Sequence, residues 1–347
     1  MLKKPITTLL IAACLIIPSL EVEARKCRDE YNHFDIVEKS EQIILKEYPQ
    51  GWNPSIVKTD QGYLLSFRYT PNMKNHWMSY TGLVLLNDDL EQISEAYLVT
   101  EDRYGTPLPP HMEDARLFTY RGEIYLIYNC CTDKTHHAGS RRDMWIGKLA
   151  YRNKTYVIEP PIKLFHNKHH ETQLTEKNWV AFGWQDMILF SYMVSPHEVI
   201  VPSFDTGECT PIFSTKPETL QWKWGSLRGG TPAIKINDEY LAFFHSSIKT
   251  HSLASNGAYM NHYYMGAYTF SAEPPFEMTK ITPYPVVGKD FYTLSDFNKR
   301  VVFPGGIIDE EDHLLVAYGK DDREIWIARI DKKKLYDSLK PLEENKK

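Results

Sequence analysis

Hydrophobic and polar positions alternate along this chain in short runs, and one phrase recurs about five times. A start marked by Pro, Asp or Asn leads into an apolar alternating strand. A Gly/Asp turn follows, and then a second strand that ends on a polar residue. The first copy runs from Asn53 to Val57, turns at Asp60-Gln61-Gly62, and continues from Tyr63 to Arg68. The second runs from Glu113 to Phe118, turns at Arg121-Gly122, and continues from Ile124 to Asn129. The third starts at Glu176 to Trp179, turns at Trp184 to Asp186, and continues from Ile188 to Tyr192. The fourth runs from Gly230 to Ile234, turns at Asn237-Asp238, and continues from Tyr240 to His245. The fifth runs from Phe303 to Ile308, turns between Asp309 and Asp312, and continues from Leu314 to Gly319.

Copies roughly 50 to 70 residues apart suit the blades of a propeller. Helical signal is scarce: the chain holds 21 prolines, and its helix-like stretches, such as Lys332 to Leu339, are short. The pattern predicts an all-β chain: a single-domain, five-bladed β-propeller with a central-pocket active site. The arm from Phe34 to Glu47 is predicted to lend a strand to the last blade, pairing near Leu314 to Ala317 and Glu324 to Ile330. That pairing would cover an open sheet edge.

The ends add a location. Lys3-Lys4, an apolar run from Ile6 to Leu20, and Val22-Glu23-Ala24 read as a signal peptide over residues 1–24. The propeller is then expected over 25–335, with a polar tail over 336–347. The protein is expected to be exported, periplasmic or secreted, without stable membrane insertion once the leader is cleaved. A lipoprotein reading at Cys14 is disfavoured because the apolar stretch continues past it. Cys27, Cys130, Cys131 and Cys209 remain after cleavage. One of the adjacent pair either bonds to Cys27, or all are buried thiols. A net charge of −5 and the lack of a basic run exclude nucleic acid as a partner.

Equivalent places in each copy would meet at one axis. The strand starts bring Asn53, Asp114, Lys177 or Asn178, Thr231 and Phe303. The strand ends bring Arg68, Asn129, Tyr192, His245 and, just beyond the fifth, Asp321. Polar groups of mixed charge among aromatic rings suit a sugar. Asp114, next to Glu113 and near Arg116, is the candidate acid for protonating a glycosidic oxygen. Strand alternation predicts that Glu113 and Asp114 face opposite sides. Lys177, His197, Arg228 and His245 form a candidate anion site, with phosphate the obvious ligand. Arg141-Arg142 reads as a solvated pair. His166, His169, His170 and Glu171 lack recognisable ligand spacing, so no metal and no organic cofactor is expected.

At these residues the chain resembles glycoside hydrolase family 130. The motifs are Asn53-Pro54-Ser55 with Phe67-Arg68, Glu113 to Arg116, Glu176 to Trp179, and Ser195-Pro196-His197. Gly229 to Pro232, Phe244-His245, Val302 to Gly306, and Tyr318 to Asp321 complete the set. The resemblance implies a propeller enzyme acting on a β-mannoside oligosaccharide or glycan, or a related β-1,2-mannosyltransferase. It implies Asp114 as general acid in an inverting mechanism, acting through a sugar hydroxyl in phosphorylases. It implies Asn53, Arg68 and Asp321 as contacts to the mannosyl unit; Arg116 and Thr231 are further candidate substrate contacts. Lys177, Asn178, His197, Arg228 and His245 correspond to the region that holds phosphate as co-substrate. Phosphorylases tend to carry arginines where Lys177 and His197 stand. The basic set points to phosphorolysis. Export points to a mannosidase that uses water, because phosphorolysis conserves energy only where the sugar phosphate is kept. A carbohydrate-binding propeller without catalysis is the remaining alternative.

Overall fold

A computed structural model describes residues 35–75, 78–131, 141–169, 175–217 and 219–342. The expected leader over 1–24, Cys14, Cys27, His170 and Glu171 lie outside the described residues. Among the described residues, no helix is long and apolar enough to cross a membrane.

Strand β1 (Val37–Ile43) comes first. The first hairpin group is β2 (Trp52–Thr59), β3 (Gly62–Tyr69), β4 (Tyr80–Leu86) and β5 (Tyr97–Leu98). The second is β6 (Glu113–Tyr120), β7 (Glu123–Cys131), β8 (Arg142–Arg152), β9 (Thr155–Ile158) and β10 (Ile162–His166). The third is β11 (Val180–Trp184), β12 (Met187–Met193), β13 (His197–Pro202) and β14 (Glu208–Thr215). The fourth is β15 (Arg228–Gly229), β16 (Ile234–Ile236), β17 (Glu239–Thr250), β18 (Met260–Ser271) and β19 (Met278–Ile281). The last is β20 (Lys299–Asp309), β21 (His313–Lys320) and β22 (Glu324–Asp331). Helix α1 (Lys332–Ser338) and β23 (Lys340–Pro341) follow. The chain is therefore all-β, with almost no helix.

Each repeated phrase forms an antiparallel hairpin at the expected place: β2–β3, β6–β7, β11–β12, β16–β17 and β20–β21. The turns use backbone that few residues tolerate. Arg121 and Gly122 both have positive φ, 52° and 76°, as a two-residue hairpin turn of primed type requires. Parallel contacts join β10 to β14 and β18 to β20. The arm pairs with the second of its two expected partner segments and not with Leu314 to Ala317: β1 lies antiparallel to β22, from Val37 opposite Ile330 to Ile43 opposite Ile325. The stretch from 336 to 342, read as the start of a polar tail, carries the end of α1 and β23, which pairs with β19.

Five apolar clusters lie between consecutive groups. Leu64 and Leu83 pack against Leu117 and Leu126, and Ile146 packs with Phe190 and Ile200. Phe182 packs with Phe244 and Phe270, and Phe243 and Met265 pack with Val316 and Ala328. The fifth cluster sets Ile308, Ala317 and Ile327 against Ile56 and Leu65, joining the last group back to the first. The sheets thus form a nearly closed, barrel-like assembly. The inner strands β2 and β6 are buried along six successive residues each, because neighbours cover both faces. Alternation survives on the outermost strands, as in β14. β2 packs directly against β6 and β20, and β11 against β6, so the strand starts meet at the centre.

Cys130 and Cys209 sit in apolar clusters, and burial pushes both thiols up, that of Cys209 to about 12. They are inert at neutral pH.

Candidate active site

The centre is built on β2, β3 and β6. Asn53 and Asp114 stand at the starts of β2 and β6, both with left-handed backbone, φ 45° and 50°. Their short polar side chains tolerate that region. Asn53 Nδ2 donates to Asp114 Oδ1 at 2.9 Å. Arg68, at the end of β3, donates from one guanidinium nitrogen to Asp114 Oδ1 at 3.1 Å and from another to Glu113 Oε1 at 2.7 Å. Its guanidinium lies over the Trp52 ring at 4.2 Å, which fixes its plane.

The expectation that Glu113 and Asp114 face opposite sides is corrected here. The register of β6 against β7 shifts between Glu113 and Arg116. That bulge and the left-handed Asp114 break the alternation, so both carboxylates reach one guanidinium. Arg142 holds the same Glu113 oxygen, at 2.9 Å. It is buried rather than solvated. Its parity with buried Met144 and Ile146 on β8 was the signal in the sequence for this placement.

Burial alone would raise the Asp114 carboxyl. Arg68, Lys177, the Asn53 hydrogen bond and Arg116 overcome it and hold the group far below the usual range. Burial pushes Glu113 the other way, further than Arg68 and Arg142 pull it down. Two adjacent carboxyls are thus split, with Asp114 held as the carboxylate.

A cavity of about 650 Å³ is lined by Lys177, Asn178 and Arg228, together with Glu176, Tyr192 and Gly229. Lys177 is exposed on its wall. Asn178 Oδ1 accepts from Arg116 at 3.3 Å, linking the cavity to the centre. Gly229 approaches so closely that an added Cβ would lie 2.1 Å from the Asn178 carbonyl oxygen. Arg228 donates to Ser247 and lies over Tyr263. His245 pairs with Arg228 across β15 and β17 and packs on Phe303 at 4.5 Å. Burial, then Arg228 and Arg116, keep it well below the usual imidazole range. It is a neutral imidazole rather than a cation.

Other expected site residues are placed differently. His197 is fully buried, with Nδ1 on the Phe276 carbonyl at 2.7 Å and the ring against Phe270. Burial drives it down to about 4, and unlike His245 it feels none of the central charges. It is a core histidine. Thr231 is fully buried, and its hydroxyl oxygen accepts from Phe243 N, so it ties the fourth group together. Asp321 caps Val301 N and accepts from Ser295. Arg116 is directed to the Gly229 and Gly230 carbonyls, and its burial lowers it to about 10.

His166, His169 and Glu198 bring possible ligand atoms within 4.8 Å of one another. His166 Nδ1 accepts from Lys168 N at 3.1 Å, so its protonated Nε2 faces Glu198 at 2.8 Å. That tautomer makes a hydrogen bond to Glu198 and offers no lone pair to a metal.

Gly319 offers a test of the centre. An added Cβ there would lie 2.1 Å from Asn53 Oδ1. Gly319→Ala should displace Asn53 and lower kcat by roughly 10- to 100-fold. Steady-state kinetics of the folded variant check this, and an unchanged kcat would show that the Asn53–Asp114 contact is dispensable.

Known proteins resemble this chain in sequence family and in fold. A family model described as beta-1,4-mannooligosaccharide phosphorylase matches residues 99–341. No curated protein sequence matches the chain. Among solved structures, the chain is similar to a beta-1,2-mannobiose phosphorylase from Listeria innocua in complex with β-1,2-mannobiose. Identity is 15%, TM-score 0.57, and coverage 89% of this chain and 98% of that one. It is similar to a mannose phosphorylase from Leishmania mexicana in complex with phosphate ion. There identity is 11%, TM-score 0.58, and coverage 94% and 98%. It is also similar to a GDP-Man-dependent mannosyltransferase from Leishmania mexicana, at 15% identity, TM-score 0.54, and coverage 88% and 93%.

Proposed function

The chain belongs to glycoside hydrolase family 130, and from that membership we propose that it transfers β-linked mannosyl units to phosphate with inversion. The observation that carries this reading is Asp114, bound by Asn53 and Arg68 and coupled to Lys177 on the wall of a cavity that also holds Arg228. We read the fold as a five-bladed β-propeller, supported by five hairpin groups and five interleaved cores.

In this reading Asn53 and Arg68 position the mannosyl unit. Lys177, Asn178 and Arg228 hold phosphate, with neutral His245 beside Arg228. A phosphate oxygen attacks the anomeric carbon from the face opposite the leaving group. The anomeric carbon–oxygen bond breaks, and the leaving oxygen takes a proton from Asp114, directly or through a sugar hydroxyl. The products are mannose 1-phosphate and the shortened acceptor. Asp114 must therefore gain a proton before the step. Phosphate beside Lys177 offsets one of the charges that hold Asp114 ionised, and so raises its carboxyl toward the working range.

The test is incubation with β-1,2- and β-1,4-mannobiose, with and without phosphate. Mannose 1-phosphate formed only with phosphate supports the reading. Lys177→Ala and Arg228→Ala should each raise KM for phosphate by roughly tenfold or more and leave KM for the mannoside within a few-fold. Equal effects on both would place the anion elsewhere.

One observation favours hydrolysis as a second reading. Glu176, its carboxyl pushed up by burial, lies on the same cavity wall and accepts from Trp179 and Tyr192. A raised carboxyl there is placed to activate water. Free mannose released without phosphate supports it, and binding without turnover would leave a carbohydrate-binding protein. Residues 1–24 are proposed to direct export, in which case the mature protein begins at Arg25.

A further inference from the structure

We propose that Glu113 is a positioning residue that divides Arg68 between two carboxylates and thereby keeps Asp114 able to take up a proton. The proposal rests on the reading of Asp114 as the acid. The geometry is asymmetric. Arg68 lies 2.7 Å from Glu113 Oε1 and 3.1 Å from Asp114 Oδ1, so its shorter bond goes to the residue that does no chemistry. The same Glu113 oxygen accepts from Arg142 at 2.9 Å. Arg142 is anchored in turn by the His111 carbonyl and, at 3.5 Å, by Asn129 Oδ1. Asn129 donates to the Glu113 carbonyl at 3.2 Å, which closes the network around β6 and β7.

The charges facing Asp114 come from every neighbouring element. Arg68 on β3, Arg116 on β6 and Lys177 before β11 are the positive ones, and Asn53 on β2 donates. His245 on β17 is neutral but feels Asp114. Glu113 is the negative group that shares Arg68, and Asp114 in turn raises Glu113. Arg142 on β8 acts through Glu113. Without the Glu113 charge, Arg68 would turn further to Asp114 and hold it more firmly as a carboxylate. Without Arg142, Glu113 would draw Arg68 further from Asp114. The two changes act with opposite sign, which a purely structural role does not predict.

Glu113→Gln keeps the acceptor oxygen and the shape while removing the charge. The phosphate-dependent pH–rate profile falls on its alkaline side as the acid loses its proton. In Glu113→Gln that limb should move down by about one pH unit, with activity regained at lower pH. In Arg142→Gln it should move up by a similar amount. Glu113→Asp should keep the wild-type limb at reduced kcat. If Glu113→Gln does not fold, the direction of the Arg142→Gln shift decides. Limbs that stay at the wild-type pH in both glutamine variants overturn the role of Glu113 and leave the reading of Asp114 standing. A wild-type protein without turnover under any condition overturns both.

Discussion

Asp114→Asn should lower kcat by on the order of 10²- to 10⁴-fold, because the leaving oxygen then departs without a proton. Mannose 1-phosphate formation, or mannose release, measures this, and turnover within tenfold of wild type would remove Asp114 from the mechanism. The same variant has a signature in stability. The folded-state carboxyl lies far below its ordinary value, held there against burial by Arg68, Lys177, Asn53 and Arg116. A depressed carboxylate contributes stability that is fully present above the unfolded value, near 3.9, and is lost as pH falls through the folded one. Asp114→Asn should therefore cost about 2 kcal/mol between pH 5 and 8, with the deficit shrinking as pH falls below about 4. Denaturant midpoints across that range check the sign.

Arg68→Met should have the largest effect on stability. Arg68 is buried on Trp52 and is the cation common to Glu113 and Asp114. Removing one partner of a buried ion pair leaves uncompensated charge and costs roughly 3–5 kcal/mol. The expected fall in Tm is roughly 5–10 °C. The pH dependence has the same sign as that of Asp114→Asn but lies in a higher pH window. Without the shared cation, Asp114 rises above its unfolded value, and Glu113, already raised by burial, rises further. A raised carboxyl costs stability above its folded value, and the cost is relieved as pH falls toward the unfolded one. The deficit against wild type should shrink between pH 7 and pH 4. A deficit independent of pH would mean that Arg68 acts through packing on Trp52 alone.

Much of the fold is legible in the residues, and less of the site. The turns at Arg121-Gly122 and Asn237-Asp238 are local chemistry, and the hairpins they close follow directly. The arm pairing of β1 with β22 followed from the need to cover an edge. Asn53, Arg68 and Asp114 also follow, because equivalent ends of inner strands converge. The convergence of Glu113 onto Arg68 does not, because a bulge inverts the side on which a residue falls and leaves no mark in the alternation. His197 and Thr231 occupy places in the repeat that look equivalent to site residues. Whether such a place opens onto a cavity or into a core depends on a neighbouring group: Phe276 and Phe270 close over His197, and Phe243 takes the Thr231 hydroxyl.

The division has a physical cause. Strand, turn and neighbouring strand lie within about twenty residues, so the alternation and turn residues of this chain suffice to specify its hairpins, their order, and an acidic residue at the start of the second. Protonation and partnership rest on contacts between residues such as Asn53 and Asp114, or Arg116 and Gly230, that are 61 and 114 positions apart. Coulomb energies in a buried site change over ångströms. Only the closed assembly sets those distances. It makes Asp114 a carboxylate, His245 neutral, and Glu113 a partner of the acid rather than its opposite.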